Sequence, residues 1–454
     1  MTSERIVARG AEGCRGARAT ALLALVLLVA CGGCWRVRLP EVQLAADGAP
    51  ESVGLSWRQA VALALEAHPD ILQARAELES KAHSRNIAFG AYLPSAGGSI
   101  NRKRSRTTTS STTDSLAFDL DITQPIFTGF ATTGEFLQAK REWEAAQWSY
   151  RLTSADVRLR LRSAFVQLLQ LQQLVEVNRR IADRRRENAD LIRLRYEAGR
   201  EHRGSLLRAE AIAEEAAFER RQAERRLESQ QLTFGRELGG QLWLAATLSD
   251  DLEQWLLAVP ELPSDYAALA EQTPTVQRLI KTAEASRAGV LVAQSELWPT
   301  VEGSLNYGYS GPRSSRLRDD ASAQVAVSVP LFEGGRNVEG VRGARADYEA
   351  SVEAARSARD EQIAGLSTTW TAFRDARELV EVRRRFLEAS RERADIVRSQ
   401  YTSGLSDFQD FDIAEQELAS SEKAYVASLA DVLVREATWE AAKGSTLEEA
   451  LDAP

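Results

Sequence analysis

The chain has 454 residues, of which 27% are charged, and a formal net charge of −8 at pH 7. Its mean hydropathy of −0.31 is typical of a body that is largely in contact with water. The acidic balance and the lack of a basic patch with interleaved aromatic residues argue against nucleic-acid binding. The histidines (His68, His83 and His202) have no metal-ligand spacing, and there is no phosphate-cradling glycine loop or nucleophile elbow. We therefore expect neither an enzyme nor a cofactor.

The N-terminus has the pattern of an export signal. Four arginines between positions 5 and 18 precede the apolar run ALLALVLLVA (21–30), which is too short to span a bilayer but fits a signal-peptide core. Residues 28–31 resemble the bacterial lipoprotein cleavage motif. That resemblance implies removal of residues 1–30, acylation of Cys31 with palmitate among the acyl groups, and a lipid-anchored segment over 31–54. Gly32 is not the aspartate that commonly retains lipoproteins at the inner membrane, so we expect transport to the outer membrane.

The same cysteine begins CGGC (31–34), a spacing that also occurs in redox and metal motifs. No βαβ pattern and no second cysteine pair accompany it, which favours the lipoprotein interpretation. Cys34 stays open, either as a free thiol or as a second acylation point.

The next segments predict a leading helix over about 57–91, followed by two strands. In SLAFDLDITQPIF (115–127), apolar residues alternate with small or polar ones. The apolar set is Leu116, Phe118, Leu120 and Ile122. A period of two with one apolar face is typical of a two-sided sheet. An ordinary surface hairpin would show the same alternation, but the neighbouring sequence offers polar coiled coil rather than a core.

The expected partner strand, GSINRKRS (98–105), places Arg102 and Arg104 on the apolar face. An arginine that faces the middle of a bilayer costs about 2–4 kcal/mol, and less near the interface. We therefore expect the outer part of this strand to clear the hydrocarbon, with 106–115 as an exposed loop.

A very long helix follows, since no glycine or proline occurs between Glu135 and Ala198. About 60 residues at 1.5 Å each span roughly 90–100 Å. Leu161, Phe165 and Leu168 keep the spacing of a coiled-coil seam. The helix is expected to end at RYEAGREHRGS (195–205), where glycine suits a helix C-terminus, and to return antiparallel over about 205–240.

The whole pattern recurs at a constant offset of 205 residues. The matching pairs are Pro69 with Pro274, Pro125 with Pro330, Phe127 with Phe332, Gly129 with Gly334, Tyr196 with Tyr401 and Gly199 with Gly404. Such matches indicate an internal duplication rather than two unrelated hairpins. The expected first repeat is 55–238, with strands about 96–127 and helices about 131–238. A linker (239–263), a second repeat (264–443, strands about 301–332, helices about 336–443) and a tail (444–454) follow.

In the second repeat we expect a leading helix over about 264–297 and a long helix from about Val341 to Tyr401, broken only at Gly365. Ser406 and Gln409 have the spacing of a capping box, which predicts the start of a return helix over 407–443.

Four strands per chain cannot close a barrel, and an open edge in lipid leaves backbone groups unpaired. Membrane barrels have at least eight strands. A membrane interpretation therefore requires oligomerisation, with eight strands in a dimer or twelve in a trimer.

The lipoprotein motif, the double repeat, the two P-x-F-x-G strand exits and the tyrosine–glycine turns resemble the TolC-like outer-membrane efflux channels over about 55–444. The resemblance implies a mainly α fold with membrane β-structure. Long antiparallel coiled-coil helices would form a periplasmic α-barrel, continuous with a trimeric 12-stranded outer-membrane β-barrel with four strands per chain. The linker and the tail would form an equatorial belt. The barrel–helix junctions would be Pro125, Phe127, Gly129, Pro330, Phe332 and Gly334.

The resemblance also implies a gate and a docking tip. Asp410 falls where the family has a gate aspartate, Asp412 adjoins the place of a second one, now Ile413, and Asp407 completes the acidic set. The family's arginine two residues after the glycine is Ser406 here. Alternatively, these aspartates are only acidic residues favoured in the first turn of a helix. The docking residues would be Gly199, Arg200, Gly404, Leu405 and Ser406.

The expected function is a passive outer-membrane exit channel of a tripartite efflux system. Its partners would be two further copies in a homotrimer, a periplasmic adaptor (membrane fusion) protein, an inner-membrane pump of the RND type and outer-membrane lipid. Two alternatives remain, a type I protein-secretion outlet with the same fold and a structural coiled-coil lipoprotein without a pore.

Overall fold

The computed structural model describes residues 54–107, 110–240, 247–248, 250–253, 265–312 and 317–452. Cys31, the expected signal peptide and most of the expected linker lie outside the described residues. In chain order the elements are β1 (Gly54–Leu55), α1 (Trp57–Ala67), α2 (Pro69–Gly90), β2 (Ser95–Thr107), β3 (Ser110–Phe127), α3 (Ala131–Glu197), α4 (Arg203–Glu237), β4 (Thr247–Leu248), α5 (Tyr266–Gln272), α6 (Pro274–Ser295), β5 (Thr300–Pro312), β6 (Arg318–Ser328), α7 (Arg336–Ser403), α8 (Phe408–Lys443) and α9 (Leu447–Asp452).

The elements from α2 to α4 recur 205 residues later as α6 to α8. The matching first residues are Pro69 and Pro274, Ser95 and Thr300, Ala131 and Arg336, and Arg203 and Phe408. Within the described part, the chain is therefore built from two structural copies of one helix–hairpin–helix–helix unit.

Each predicted leading helix is in fact two helices, so that prediction is wrong. α2 begins at Pro69 and α6 at Pro274, both at the first helical position, where the missing N–H of proline is not needed. The residue before a proline disfavours helical backbone, and both His68 and Thr273 are extended. His68 also caps α2, since its Nδ1 accepts the N–H of Asp70 at 3.2 Å.

The two long helices, α3 and α7, have 67 and 68 residues and are about 100 Å long. The predicted break at Gly365 does not occur, because α7 runs continuously from Arg336 to Ser403. A glycine in a helix costs only about 1 kcal/mol relative to alanine. Burial of Leu366 and Trp370 immediately after it stabilises the helix by more than that.

The four long strands form one antiparallel sheet in the order β2-β3-β5-β6. Phe118 lies opposite Ile100 on one side and Tyr309 on the other, so the predicted apolar residues share one face. The other face is polar, and there Asn306 donates a hydrogen bond to Asp121 at 2.5 Å. β2 and β6 are the edges of the sheet, and every residue of β6 is exposed.

The two strand exits differ. β3 passes through Pro125 to Phe127, with a register shift between these two residues, as suits a proline at an irregular point of a ladder. β6 already ends at Ser328, so the prediction of strand structure up to position 332 is wrong. The reason is that the partner strand β5 begins at Thr300, which pairs with Ser328. Residues of the chain after Ser328 therefore have no β5 residue to pair with.

The main apolar core lies midway along α3, where it meets α1, α7 and α8. Trp57 packs edge-on against Phe165 at 5.5 Å, and Trp370 contacts Trp439 at 5.1 Å. The short parallel ladder β1-β4 borders this core. Of the helices in the described ranges, none has both the length and the apolarity that crossing a membrane requires.

Candidate pore tip and membrane sheet

The end of the molecule opposite the sheet, here called the tip, consists of two helix turns. The turn between α3 and α4 contains Gly199 and the turn between α7 and α8 contains Gly404, with φ of 69° and 79°. In each turn an N–H just past the glycine bonds back to the last helical turn, Arg200 to the Arg195 carbonyl and Leu405 to the Gln400 carbonyl, both at 2.8 Å. The glycine helix ends predicted from sequence are thus present.

Asp407, not Ser406, caps α8. The Asp407 carboxylate accepts the backbone N–H of Asp410 at 2.8 Å. The predicted capping box of Ser406 and Gln409 is therefore wrong. The Ser406 hydroxyl lies 3.5 Å from an Asp410 carboxylate oxygen instead. Asp407 is favoured as the N-cap because an ionised carboxylate near a helix N-terminus also interacts favourably with the helix dipole.

The two turns are linked through Tyr401. Its hydroxyl donates to the Glu201 carboxylate at 2.8 Å, and the Arg195 guanidinium donates to the Tyr401 carbonyl at 2.7 Å. The same guanidinium lies 4.4 Å from the centre of the Tyr401 ring, whose other neighbour is the stacked ring of Phe411 at 4.8 Å. Sequence reasoning used Tyr401 only as a marker of the helix end and missed Glu201.

The pKa values of the two partners of this hydrogen bond are shifted in opposite directions. Burial, and then the bond to Glu201, raise the pKa of the Tyr401 hydroxyl above its ordinary 10. Burial alone would also raise the pKa of Glu201, but hydrogen bonds from Tyr401 and Ser205 outweigh it, and this pKa lies below its ordinary 4.5. The pair is therefore a carboxylate and a neutral phenol at neutral pH.

The three aspartates predicted as gate residues lie in different environments. Asp410, in the first turn of α8, and Asp407, which caps that helix, are both exposed. The Asp412 side chain is only 9% exposed and lies 3.2 Å from the Arg185 guanidinium and 2.9 Å from that of Arg208. Asp412 is thus the counter-ion of two arginines within its own chain.

A second set of ion pairs continues the contact between α3 and α8. Arg184 binds Glu422 with two hydrogen bonds, of 3.1 and 2.7 Å, and lies 3.8 Å from Glu415. Both glutamates are buried. Sequence reasoning missed these pairs, although the run of three arginines at 184–186 inside a coiled-coil segment was a visible signal.

The predicted docking residues form the outer surface of the tip. Leu405 is 81% exposed, although it is apolar, and Arg200 and Ser406 lie beside the two turn glycines. A side chain added at Gly199 or at Gly404 would meet no atom within 4 Å. The surface around both turns is therefore open.

At the other end of the molecule, the two predicted barrel–helix junctions differ in how closely neighbouring residues pack against them. Gly129 (φ 62°) packs so closely that an added Cβ would lie 2.7 Å from the Ser295 carbonyl oxygen. Phe130 beside it contacts Trp298 at 6.0 Å. At the second junction Phe332 is 88% exposed.

Arg102, which the sequence places on the apolar face of the sheet, forms an ion pair within its own hairpin. Its guanidinium binds the Asp114 carboxylate with two hydrogen bonds, of 3.1 and 2.8 Å, near the turn that joins β2 to β3. The charge of Arg102 is thus paired within the hairpin itself. Among the described residues, no group of three or more His, Cys, Asp or Glu side chains could hold a metal ion.

The family model for outer membrane efflux proteins matches residues 60–240 and again 266–445. The chain belongs to the outer membrane efflux protein family. It is 22% identical over 354 residues to the outer membrane efflux protein BepC of Brucella suis, covering 77% of this chain and 76% of BepC.

Solved structures show the same fold. VceC of Vibrio cholerae matches with a TM-score of 0.74 and 19% identity, covering 86% of this chain and 96% of VceC. The open state of the MtrE channel of Neisseria gonorrhoeae matches with a TM-score of 0.76 and 17% identity, covering 86% of this chain and 89% of MtrE. This efflux channel is thus an outer-membrane protein with a TolC-like fold. Family members are trimeric channels that work with adaptor proteins and inner-membrane pumps.

Proposed function

We propose that this efflux channel is the passive exit duct of a tripartite system and that it works as a homotrimer. The observation that carries the proposal is the unpartnered sheet, whose edge strands β2 and β6 have no neighbour in the described part of the chain. Unpaired backbone groups in lipid cost several kcal/mol each, so copies must pair edge to edge. Three copies bring twelve strands and surround a lumen with the polar face of the sheet.

In this trimer, Pro125, Phe127 and Gly129, with Pro330, Phe332 and Gly334, mark where the barrel becomes tunnel. α3 and α7, each about 100 Å long, carry the tunnel away from the membrane, within two repeats at 55–238 and 264–443. The cargo passes through without chemistry, and an inner-membrane pump of the RND type supplies the energy.

The tip docks on the periplasmic adaptor through Gly199, Arg200, Gly404, Leu405 and Ser406. The 81% exposure of the apolar Leu405 supports this role. Leu405→Glu is expected to abolish co-purification of the adaptor, while the variant stays trimeric and in the outer membrane. Full adaptor binding by this variant would exclude Leu405 from the interface. If a pump of the type I secretion class co-purifies instead, the function would be protein secretion rather than efflux.

Asp410, supported by Asp407, forms the gate. Three copies of an exposed carboxylate near one axis repel each other and attract cations. We expect Asp410→Ala to increase the conductance or to remove its cation preference in planar bilayers. Identical channels from both proteins would leave Asp410 as an ordinary residue of a helix's first turn.

Cys31 anchors the mature N-terminus in outer-membrane lipid. Mass spectrometry of the membrane-extracted protein is expected to show an N-terminus at Cys31 that carries acyl groups, palmitate among them. Cys31→Ser would lose them. An unmodified thiol at position 31 would refute the anchor and leave the channel function untouched.

A further inference from the structure

The edge strand β2 differs from the other strands of the sheet in its charge. Of the five basic residues in the four long strands, four lie within five positions of β2: Arg102, Lys103, Arg104 and Arg106. β2 has no acidic residue, and residues 101–106 are all exposed. Its counterpart in the second repeat, β5, has no basic residue and carries Tyr307 and Tyr309 in the places of Arg102 and Arg104. Pairing of the strands therefore does not require arginine at these places.

Two of these arginines share the apolar face of the sheet. Cross-strand partners in an antiparallel sheet lie on the same face. Ile100, Phe118 and Tyr309 are partners across three strands and form one row of the apolar face. Arg102 and Arg104 follow Ile100 at intervals of two residues, so they continue this face towards the turn that joins β2 to β3.

The length of the apolar face sets the depth of these arginines in a membrane, which rests on the barrel proposed above. On β5 the face runs from Val301 to Tyr309, about 26 Å along the strand and about 20 Å along the membrane normal at a tilt of about 40°. The apolar band of outer-membrane barrels is about 25 Å tall, so the hydrocarbon ends about 5 Å beyond the row of Tyr309, near Arg102. Arg104 lies about 10 Å beyond that row, within a headgroup region about 5–8 Å thick.

The tyrosines of β5 agree with this boundary. The hydroxyls of Tyr307 and Tyr309 lie 2.8 Å apart on the apolar face. Aromatic rings with a polar tip are enriched where the hydrocarbon meets the headgroups. The turn end of the sheet is also the end away from α3 and α7, because each of these helices follows the opposite end of β3 or β6. In the proposed channel, Arg104 therefore meets the outer leaflet.

Arg104 has no counter-ion in the described part of its own chain. Asp114 lies directly opposite Arg104 in the sheet. The Asp114 carboxylate is bound by Arg102, however, with two hydrogen bonds of 3.1 and 2.8 Å. The charge of Arg104 is thus available to a partner outside the chain.

The next copy in the trimer does not neutralise Arg104 either. Thr123 pairs with Ser304 within the chain, and the same register 205 residues away pairs Ser328 with Ser99 of the next copy. In this register Ala323 lies opposite Arg104 of the next copy. The nearest acidic residue of β6 on that face, Asp319, lies four residues further along, or about 13 Å. It can reach Arg106 but not Arg104.

We infer that the outer end of β2 is a lipid-binding site, where Arg104, with Arg106 beyond it, binds phosphate groups in the headgroups of the outer leaflet. A guanidinium group binds phosphate through two parallel hydrogen bonds. The long arginine side chain can lie along apolar surface while its charge reaches the headgroups. A zwitterionic headgroup neutralises its own phosphate, so a cluster of arginines favours a lipid with several phosphates and no cationic group. Phosphorylated glycolipids of the lipid A type have this chemistry.

The first test measures the affinity of detergent-extracted protein for bisphosphorylated lipid A by native mass spectrometry. Arg104→Gln is expected to weaken binding by about tenfold, the value of one hydrogen bond to a charged group at the low end of its range. Lys103→Gln removes the same charge from the other face of the same strand, and we expect at most about a twofold change, because solvent screens that charge.

Three results of this experiment would overturn the inference. They are an unchanged affinity in Arg104→Gln, an equal loss in Arg104→Gln and Lys103→Gln, and aggregation of Arg104→Gln with unchanged lipid affinity. The last result would show that the arginines only protect a sheet edge from pairing with other chains.

The second test varies the lipid. Lipid A without its phosphates, but with the same acyl chains, is expected to bind the wild type and Arg104→Gln equally. A large excess of inorganic phosphate is expected to leave the bound bisphosphorylated lipid in place, because the acyl chains also hold it on the apolar face. An effect of Arg104 on the dephosphorylated lipid would overturn the inference. Displacement by inorganic phosphate would show a site for free phosphate and would overturn it too.

Arg104→Tyr separates binding from folding. It copies Tyr309, the residue at the same place in the second repeat, so the variant is expected to form a trimer on native gels and to lose its preference for the phosphorylated lipid. A folded variant that keeps this preference would exclude Arg104 from the site. Because binding requires no conduction, a conducting channel without Arg104-dependent binding would refute the lipid site alone. Arg104-dependent binding by a protein that never conducts would refute the channel function and support the site.

Discussion

Replacing Asp412 by alanine tests the buried ion pair at the tip. Asp412→Ala removes the counter-ion of Arg185, whose side chain is 6% exposed. Loss of one partner of a buried pair costs about 3–5 kcal/mol, because the remaining charge stays in a poorly solvating site. Arg208 adds little to this figure, since its side chain is 67% exposed and solvent screens it.

The expected effect is local, because the main core around Phe165 and Trp439 lies far along the helices from Asp412. A cost of 3 kcal/mol raises the local opening equilibrium by about 150-fold. Amide hydrogen exchange in the trimer measures this directly. We expect protection over 185–192 and 408–416 to fall by about that factor, while protection over 161–169 stays unchanged.

Two variants control the experiment. Asp410→Ala removes an exposed carboxylate from the same helix turn and is expected to change protection by at most about fivefold, the effect of one helix-dipole interaction. Replacing both Arg185 and Asp412 by leucine removes both buried charges and is expected to recover most of the protection. Equal protection in Asp412→Ala and the wild type, or equal losses in Asp412→Ala and Asp410→Ala, would refute the burial argument.

Three further predictions concern other parts of the chain. The Glu201–Tyr401 link should stabilise the tip between pH 4.5 and 10. Folding lowers the pKa of Glu201, so its contribution to stability is present above pH 4.5 and is lost as the pH falls through the pKa of the folded state. Folding raises the pKa of Tyr401, so its contribution to stability is present below pH 10 and is lost as the pH rises through the pKa of the folded state. The thermal-midpoint difference between wild type and Glu201→Gln should thus vanish in acid, and a constant difference down to pH 2 would contradict this. Glu448 accepts hydrogen bonds from the Tyr150 and Ser154 hydroxyls at 2.6 Å each. Glu448→Ala should therefore weaken the attachment of α9 by about 1.5–3 kcal/mol, measured as faster proteolysis after residue 446. An unchanged cleavage rate would show that Glu448 does not hold α9 in place. Gly129→Ala should lower the refolding yield more than Gly334→Ala, because both glycines have a positive φ but only Gly129 is also closely covered, and equal refolding yields would contradict the difference in cover.

Local patterns in the sequence predicted the elements of this fold but not every boundary. The alternation around Phe118, the long run without glycine or proline in α3 and the glycine at 404 each reflect the geometry of a few neighbouring residues. The break at His68 and Pro69 was also a local signal, because the residue before a proline disfavours helical backbone, but the leading helix was predicted as one piece over about 57–91. The end of β6 at Ser328 depends on where a different strand begins.

The site was harder to predict because its links join distant parts of the chain. Asp412 and Arg185 are 227 residues apart, and Glu201 and Tyr401 are 200 residues apart. Which carboxylate meets which arginine depends on how the two repeats pack against each other, and no local spacing contains that information. The family resemblance therefore suggested Asp410, with Asp412 and Asp407 nearby, as gate residues, whereas packing buries Asp412 as a counter-ion within the chain.

The most direct test of the account is single-channel recording of the purified wild-type protein in a planar bilayer. The account predicts discrete, cation-preferring conductance steps from a detergent-extracted trimer. A trimer that inserts stably into the bilayer and never conducts would contradict it and would favour a structural lipoprotein without a pore.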